Sequence, residues 1–298
     1  GKPMLDHLLA SLDELAPKQT VVVVGDKADQ IKRAVEGRAE TVTQEPQLGT
    51  GHAVQSARDA LTGFDGDLYV LFGDTPFIKP ETLVAMQAAR AQADIVALGF
   101  EAADPGRYGR FILGDGNALE GIVEARDATP EQLNITICNS GLMAGDCQTM
   151  LGLLDRVKND NAQGEYYLPD IVNIAIGDGR VCAAVTTDDP NEVAGINSRS
   201  ELAAAEAQWQ REQREQCPRA FPRFCRSRDV QRSAFGSVCA PLRAFVRSAL
   251  PAGCASRPTH PTNSPLARRW FFINPLGAHG AEGAEAQQER RWDDRERS

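Results

Sequence analysis

Glu40-Thr41-Val42-Thr43-Gln44-Glu45-Pro46-Gln47-Leu48-Gly49-Thr50-Gly51-His52-Ala53 is the stretch on which the reading of this chain turns. A short β-type run, Glu40 to Thr43, leads into a turn with two glycines. An amphipathic helical pattern follows, carried by Ala53, Val54, Ala57, Ala60 and Leu61. Glycines at 49 and 51 allow backbone amides to approach a ligand, and a helix start offers unpaired N–H groups. Gln44, just before the turn, has an amide long enough to read the edge of a flat heterocycle. On spacing alone a plain strand-to-helix turn explains these residues equally well.

Outward from this turn the pattern repeats. Pro3 to Leu15 has helical spacing through Met4, Leu5, Leu8, Leu9, Leu12 and Leu15. Thr20 to Val24 is a β-branched run of the kind found in strands buried on both faces. A helical pattern covers residues 27 to 35. A second buried strand, Asp67 to Phe72, ends at Gly73-Asp74, a helix opens at Pro80, and Asp94 to Phe100 is a third strand. Alternating strands and helices with short links predict an open, mainly parallel α/β sheet. Ligands of such sheets gather beyond the carboxyl ends of the strands, where both Gln44–His52 and Gly73-Asp74 fall.

After Asp104 the pattern changes. Arg110 to Leu113 and Leu119 to Val123 predict two strands around the turn 114–117. A short helix from Asp127 to Gln132 and a strand from Asn134 to Met143 follow. Further helices are predicted over Cys147 to Val157, Tyr167 to Ile176 and Glu201 to Gln216, with a strand over Val181 to Val185.

Composition narrows the class. The chain has 298 residues and a net charge of −9. From Cys217 onward there are 14 Arg, no Lys and 7 Asp or Glu, a net of +7 that leaves −16 on the residues before it. An acidic front argues against a nucleic-acid groove there. No apolar run is long enough to span a bilayer, and no signal-peptide pattern opens the chain. The opening Gly1-Lys2-Pro3 reads as the start of a cut piece. The seven cysteines form no C-x-x-C pair, and Cys138, Cys147 and Cys182 lie in or beside apolar runs. A reducing, cytoplasmic setting without structural disulfides is expected.

Several residues are candidates for chemistry. Asp74 ends an apolar strand, and a carboxylate there with a nearby oxygen donor suits Mg²⁺, which takes few protein ligands. Asn197, after Glu192-Val193-Ala194-Gly195-Ile196, is the candidate second donor. For each alone, a turn or cap role is the commoner reading. His52 reads as a capping or packing residue before a general base. Glu124 and Asn139 sit where a polar group binds a hydroxylated ligand or faces solvent. The chain holds no nucleophile elbow, no Walker A loop and no G-x-G-x-x-G.

Taken in order, Q-E-P-Q-L-G-T-G-H-A (44 to 53), L-F-G-D-T-P (71 to 76), Y-G-R (108 to 110), G-I-V-E (121 to 124), N-D-N-A-Q-G-E-Y-Y-L-P-D (159 to 170) and E-V-A-G-I-N (192 to 197) resemble one family. It is the uridyltransferase half of the bifunctional bacterial N-acetylglucosamine-1-phosphate uridyltransferase/glucosamine-1-phosphate N-acetyltransferases. The resemblance covers about residues 1 to 216. It implies a Rossmann-like nucleotidyltransferase fold, a mixed and mostly parallel α/β sheet with flanking helices, and an irregular C-terminal tail. It implies that UMP passes from UTP to N-acetylglucosamine 1-phosphate, with Mg²⁺ as cofactor. Gln44 and the backbone of Gly49 and Thr50 would read uracil. Phe72, Gly73 and Asp74 would line the ribose and phosphate side, Asp74 and Asn197 would hold the metal, and Gly109, Glu124 and Asn139 would bind the amino sugar.

Three departures from that family stand out. Its opening strand, its loop L-A-A-G-x-G-T-R-M and the Lys of its L-P-K segment are not found in the chain, so no catalytic Arg or Lys is assigned and Lys2 is not credited as one. Pro169 replaces a small polar residue, and Phe72 stands where many members have Tyr. Residues 217 to 298 show no hexapeptide repeat and are rich in Arg and Pro. The expected division is a uridyltransferase domain over 1 to 200, a linker helix over 201 to 216, and a tail from 217. Out-of-frame translation is the expected origin of that tail, with a genuine basic tail as the alternative. The family's homotrimer depends on a domain the tail does not resemble. Two other functions remain: a catalytically dead uridine- and amino-sugar-binding fragment, and a pyrophosphorylase for another sugar 1-phosphate.

Overall fold

The computed structural model describes residues 3–25, 28–161, 163–216 and 268–273. Lys2, most of the tail, and Cys217, Cys225, Cys239 and Cys254 lie outside these residues. In chain order the elements are α1 (Met4–Asp13), β1 (Gln19–Val24), α2 (Ala28–Val35), β2 (Glu40–Thr43), α3 (Thr50–Ser56), β3 (Asp67–Phe72), α4 (Pro80–Arg90) and β4 (Ile95–Glu101). Then come β5 (Arg110–Leu113), β6 (Leu119–Val123), α5 (Pro130–Leu133), β7 (Ile137–Asp146), α6 (Cys147–Leu154), α7 (Asp170–Gly177), β8 (Cys182–Thr187), α8 (Arg199–Gln216) and β9 (Arg268–Ile273).

Seven strands form one path in the order β2-β1-β9-β3-β7-β4-β8, with β5 and β6 attached beside β7. All neighbours on the path are parallel except β7, which runs antiparallel to β3 and β4. The expected mixed, mostly parallel sheet is the observed one. The compact unit that holds the sheet takes in residues Gly1–Glu201 and includes β9.

The sheet is enclosed on both faces, which is why β1 and β3 read as continuous apolar runs. Side chains alternate across a strand. Val21, Val23, Leu68, Val70, Ile95 and Met143 enter one core with residues of α3, α6 and α7. Val22, Val24, Tyr69, Leu71, Val96 and Leu142 enter the other with α1 and α4. Tyr69, Leu68 and Leu71 are fully buried. Cys138, Cys147 and Cys182 are buried, as their apolar neighbours predict. Among the described residues no helix is long and apolar enough to cross a membrane.

Two differences from the sequence reading are informative. The helix expected from Tyr167 starts at Asp170, because Tyr166 is held by backbone bonds to Leu48 and Gly51 and Leu168 donates its N–H to the Thr50 hydroxyl. The tail, irregular by sequence, contributes the strand β9 to the middle of the sheet. The remaining tail residues lie outside the described ones.

At the start of β3 the carboxylate of Asp67 meets the guanidinium of Arg90 on α4, at 2.8 Å from Nη2 and 3.2 Å from Nε. Both side chains are only 12 % exposed. Arg90 also donates to the carbonyl of Ala93, tying the end of α4 to the sheet. Breaking such a pair strands a buried charge. Arg90→Leu should therefore lower unfolding free energy at pH 7 by about 3 kcal/mol, read as an earlier urea midpoint, and an unchanged midpoint would contradict the pairing.

Candidate active site

Gln44 follows β2 and Asp74 follows β3. All strands from β2 to β3 on the sheet path are parallel, so both residues leave the sheet at its carboxyl edge. That common edge follows from strand direction alone.

The glycine turn is built by backbone contact. Tyr166 donates its N–H to the carbonyl of Leu48 at 2.8 Å, and its carbonyl accepts from the N–H of Gly51 at 2.7 Å. The Thr50 hydroxyl accepts from the N–H of Leu168 at 3.0 Å. The two most distinctive motifs are thus clasped together. Gly49 has φ +104°, and a Cβ there would stand 2.7 Å from the Tyr166 carbonyl oxygen. Only glycine fits both conditions.

Gln44 is 8 % exposed. Its Nε2 donates to the carbonyl of Gly49 at 3.0 Å and meets Nδ1 of His52 at 3.1 Å. An amide donor at Nδ1 requires that nitrogen to accept, so His52 is neutral with its proton on Nε2. Burial lowers the His52 pKa in the same direction. His52 therefore orients Gln44, in line with the packing role read from sequence. With both Nε2 protons committed, Oε1 is the edge that Gln44 has left to offer a ligand.

A second cluster forms around Asp74. Its backbone carbonyl accepts from the N–H of Ile196 at 3.0 Å, bringing the E-V-A-G-I-N segment onto the end of β3. A Cβ on Gly195 would lie 3.1 Å from Oδ2 of Asp74 and 3.2 Å from Nδ2 of Asn197. The two side chains converge over bare glycine backbone. Turning the Asn197 amide by half a rotation puts its oxygen in the same place. A carboxylate and an amide oxygen above a glycine are hard donors, and they fit a magnesium ion that keeps water and phosphate ligands.

Residues the sequence reading had not weighed hold this cluster. Glu192, 2 % exposed, accepts from the N–H of Lys79 at 2.8 Å and from the Thr187 hydroxyl at 2.7 Å. Glu201 accepts from the N–H groups of Asn197 at 2.7 Å and Ser198 at 2.8 Å, while the Ser198 hydroxyl accepts from Glu201 N–H. This is a capping box at the start of α8. Its signal, Ser198-x-x-Glu201, stands in the sequence.

Beside these lies a cavity of about 630 Å³ lined by Thr50, Phe72, Gly109, Glu124, Asn139 and Gly141, among others. A Cβ on Gly109 would meet Glu124 Oε1 at 3.2 Å and Asn139 Cβ at 3.5 Å. Asn139 donates its N–H to the Gly109 carbonyl at 2.8 Å, and its Oδ1 accepts from Gly141 N–H at 2.9 Å. The Glu124 pKa is raised by burial first, then by Asp170 and Asp127. Arg110, 2 % exposed, points back under this loop. It donates to the carbonyls of Tyr108, Gly106 and Pro105. No single sequence reveals that an arginine braces a loop from beneath.

The site residues thus fall into three groups. Thr50, Phe72, Gly109, Glu124 and Asn139 share the cavity, Gln44 and Gly49 form the clasped turn, and Asp74 and Asn197 meet over Gly195. Gly73 has open space where a side chain would stand.

The α/β sheet with these residues along its carboxyl edge has the fold seen in nucleotidyltransferases, and sequence comparison agrees. Residues 1–135 match the family model described as a MobA-like NTP transferase domain. Among solved structures, a UDP-glucose pyrophosphorylase complexed with UDP-glucose shares the fold with TM-score 0.53 at 14 % identity, over 70 % of this chain and 87 % of that one. A 4-diphosphocytidyl-2C-methyl-D-erythritol synthase from Anaerococcus prevotii does so with TM-score 0.51 at 15 % identity, over 70 % and 89 %. The chain is a homologue of the proteins named Bifunctional protein GlmU. It is 56 % identical over 219 residues to the one from Sphingopyxis alaskensis, covering 72 % of this chain and 48 % of that protein. It is 54 % identical over 211 residues to the one from Ruegeria sp., covering 70 % and 46 %. The chain spans about half the length of the curated relatives it matches.

Two outcomes test the local geometry. Gly49→Ala should cost roughly 2 kcal/mol or more through left-handed strain and the Tyr166 clash, and it should speed amide exchange at Gly51 and Tyr166. Unchanged exchange there would contradict the clasp. Asp74 is different, since burial, with a smaller push from Glu201, raises its pKa from 3.8 to about 6. Between those values the folded chain holds a proton that the unfolded chain has lost, so stability falls as pH rises from about 4 to about 6. Without divalent metal, Asp74→Asn should raise the melting temperature at pH 7.5 and flatten that part of the pH profile, by about 3 kcal/mol at most.

Proposed function

We propose that the crevice binds a uridine nucleotide and N-acetylglucosamine 1-phosphate and serves the transfer of UMP from UTP to the sugar phosphate. The observation that carries this reading is the arrangement along one sheet edge: an oriented amide at Gln44, an acid–amide pair over Gly195, and a cavity holding Glu124 and Asn139 beside them. Uracil offers an N–H that suits the Oε1 edge of Gln44. The hydroxyls and N-acetyl group of an amino sugar suit the Glu124 carboxylate, the Asn139 amide and the exposed backbone at Gly109. Asp74 and Asn197 are the residues that would hold Mg²⁺. When bound, the metal supplies neutralisation of phosphate charge.

The chemistry asks little of side chains as nucleophiles. An oxygen of the sugar phosphate, already ionised, forms a bond to the α-phosphorus of UTP. The bond from that phosphorus to the bridging oxygen breaks, and pyrophosphate leaves with the electron pair. UDP-N-acetylglucosamine and pyrophosphate are the products, and atoms and charge balance without a protein base. What the chain contributes is orientation of the two reactants, a large part of the barrier in such reactions. The lack of a nucleophile elbow agrees with this chemistry.

A binding-only role is the second reading. It rests on the same polar contacts, since Gln44, Glu124 and Asn139 can hold ligands without any turnover. A single set of measurements separates the readings. Pyrophosphate release from UTP is followed with N-acetylglucosamine 1-phosphate and with glucose 1-phosphate, alongside calorimetric binding of each. Release with the amino sugar alone is the expected result, and Glu124→Gln should lower it by about tenfold or more. Binding without release supports the second reading. Equal release with glucose 1-phosphate would defeat the amino-sugar assignment.

A further inference from the structure

We propose that Arg268–Ile273, from the tail, is a positioning segment: it completes the sheet between β1 and β3 and sets the spacing between the Gln44 and Asp74 sides of the crevice. The ligand part of this proposal rests on the function proposed above. The sheet part does not.

The backbone pattern carries the argument. β9 pairs in parallel with β1 along Gln19↔Arg269 to Val23↔Ile273. On its other edge it pairs with β3 along Asp67↔Arg268 to Phe72↔Ile273. It spans nearly the whole length of both neighbours and is their only ladder link among the described residues. Without it, the path splits into β2-β1 and β3-β7-β4-β8. β1 and β3 are almost entirely buried. Buried backbone groups without partners are costly, so each strand needs a neighbour on that edge. The segment's sequence, R-R-W-F-F-I, ends in the apolar run expected of a strand covered on both faces.

The two arms of the crevice hang from the strands that β9 joins. Gln44 donates its backbone N–H to the carbonyl of Val24, at the end of β1. Asp74 follows β3, beyond Phe72. Ile273 stands level with Val23 and Phe72, so β9 ends where both arms begin. Neighbouring strands are about 4.8 Å apart, which puts β1 and β3 about 10 Å apart with β9 between them. Direct pairing of β1 with β3 would shorten that by one strand spacing, and an unfilled gap would leave it unset. A uridine nucleotide must touch both arms. Gly109, Glu124 and Asn139 all lie on the β3 side, within β7 or beside β5 and β6, so the amino-sugar cavity does not straddle β9.

The test uses the full chain. In a parallel strand successive residues direct their N–H groups to opposite neighbours, so Trp270→Pro and Phe271→Pro each remove a donor from one side. Both variants should lose amide-exchange protection in Val21–Val24 and Leu68–Leu71. They should bind UTP about tenfold more weakly yet hold N-acetylglucosamine 1-phosphate within about twofold. Ala249→Pro, outside the strand, should change neither. Unaltered protection in the two strand variants overturns the proposal, and an equal loss of both ligands overturns the positioning role. Should the proline variants not fold, a photo-reactive benzoylphenylalanine at Phe271 decides. Crosslinks within one chain to residues 19–24 or 67–72 support the strand, whereas crosslinks elsewhere, or only between isotopically distinct chains, overturn it. If the unaltered chain binds neither ligand, the function reading fails, and exchange and crosslinking still judge β9.

Discussion

The site depends on a backbone clasp. Leu48 and Gly51 exchange hydrogen bonds with the two sides of Tyr166, more than a hundred residues away in sequence. Such contact is possible only where no side chain intrudes, so Gly49 and Gly51 lie against the Tyr166 backbone. The clasp fixes the turn, the turn's Gly49 carbonyl holds the Gln44 amide, and His52 holds it from the other side. A hydrogen-bonded edge results, held by contacts within the protein itself. Preorganisation of this kind lowers the entropy lost on binding.

The same logic runs through the other groups. Asp74 is placed by a strand end and by the Ile196 N–H. Asn197 is placed by a helix cap, and the whole segment by Glu192 beneath it. Asp74 is buried and its pKa is raised, so the folded protein carries an electrostatic cost at neutral pH. A cation beside it would relieve that cost, a common arrangement at functional sites. Arg110 plays a quieter part. It spends its buried charge on carbonyls of residues 105–108 and so shapes the wall of the cavity.

The central strand changes how the tail is viewed. Composition marks residues after 216 as unlike those before, and pattern alone offers no structure for them. Yet a sheet with two buried, unpartnered strand edges imposes a strong demand on any apolar extended segment in reach. Arg268–Ile273 meets that demand. The demand comes from the sheet, whichever chain segment answers it.

The alternation of strands and helices, the buried runs of β1 and β3, and the position of Gln44 and Asp74 at strand ends were legible from residue order, because burial periodicity and glycine turns are local properties. The capping box Ser198-x-x-Glu201 stands in the sequence too, but the helix was expected only from Glu201, and the box's service to Asn197 belongs to the fold. Other features belong to tertiary structure alone. Tyr166 against Gly49, Arg110 under the cavity loop, Glu192 between Lys79 and Thr187, and β9 between β1 and β3 each join segments far apart in the chain. Their physical reason is the same: a buried hydrogen-bonding group or charge must find a partner, and only the folded chain determines which one is near.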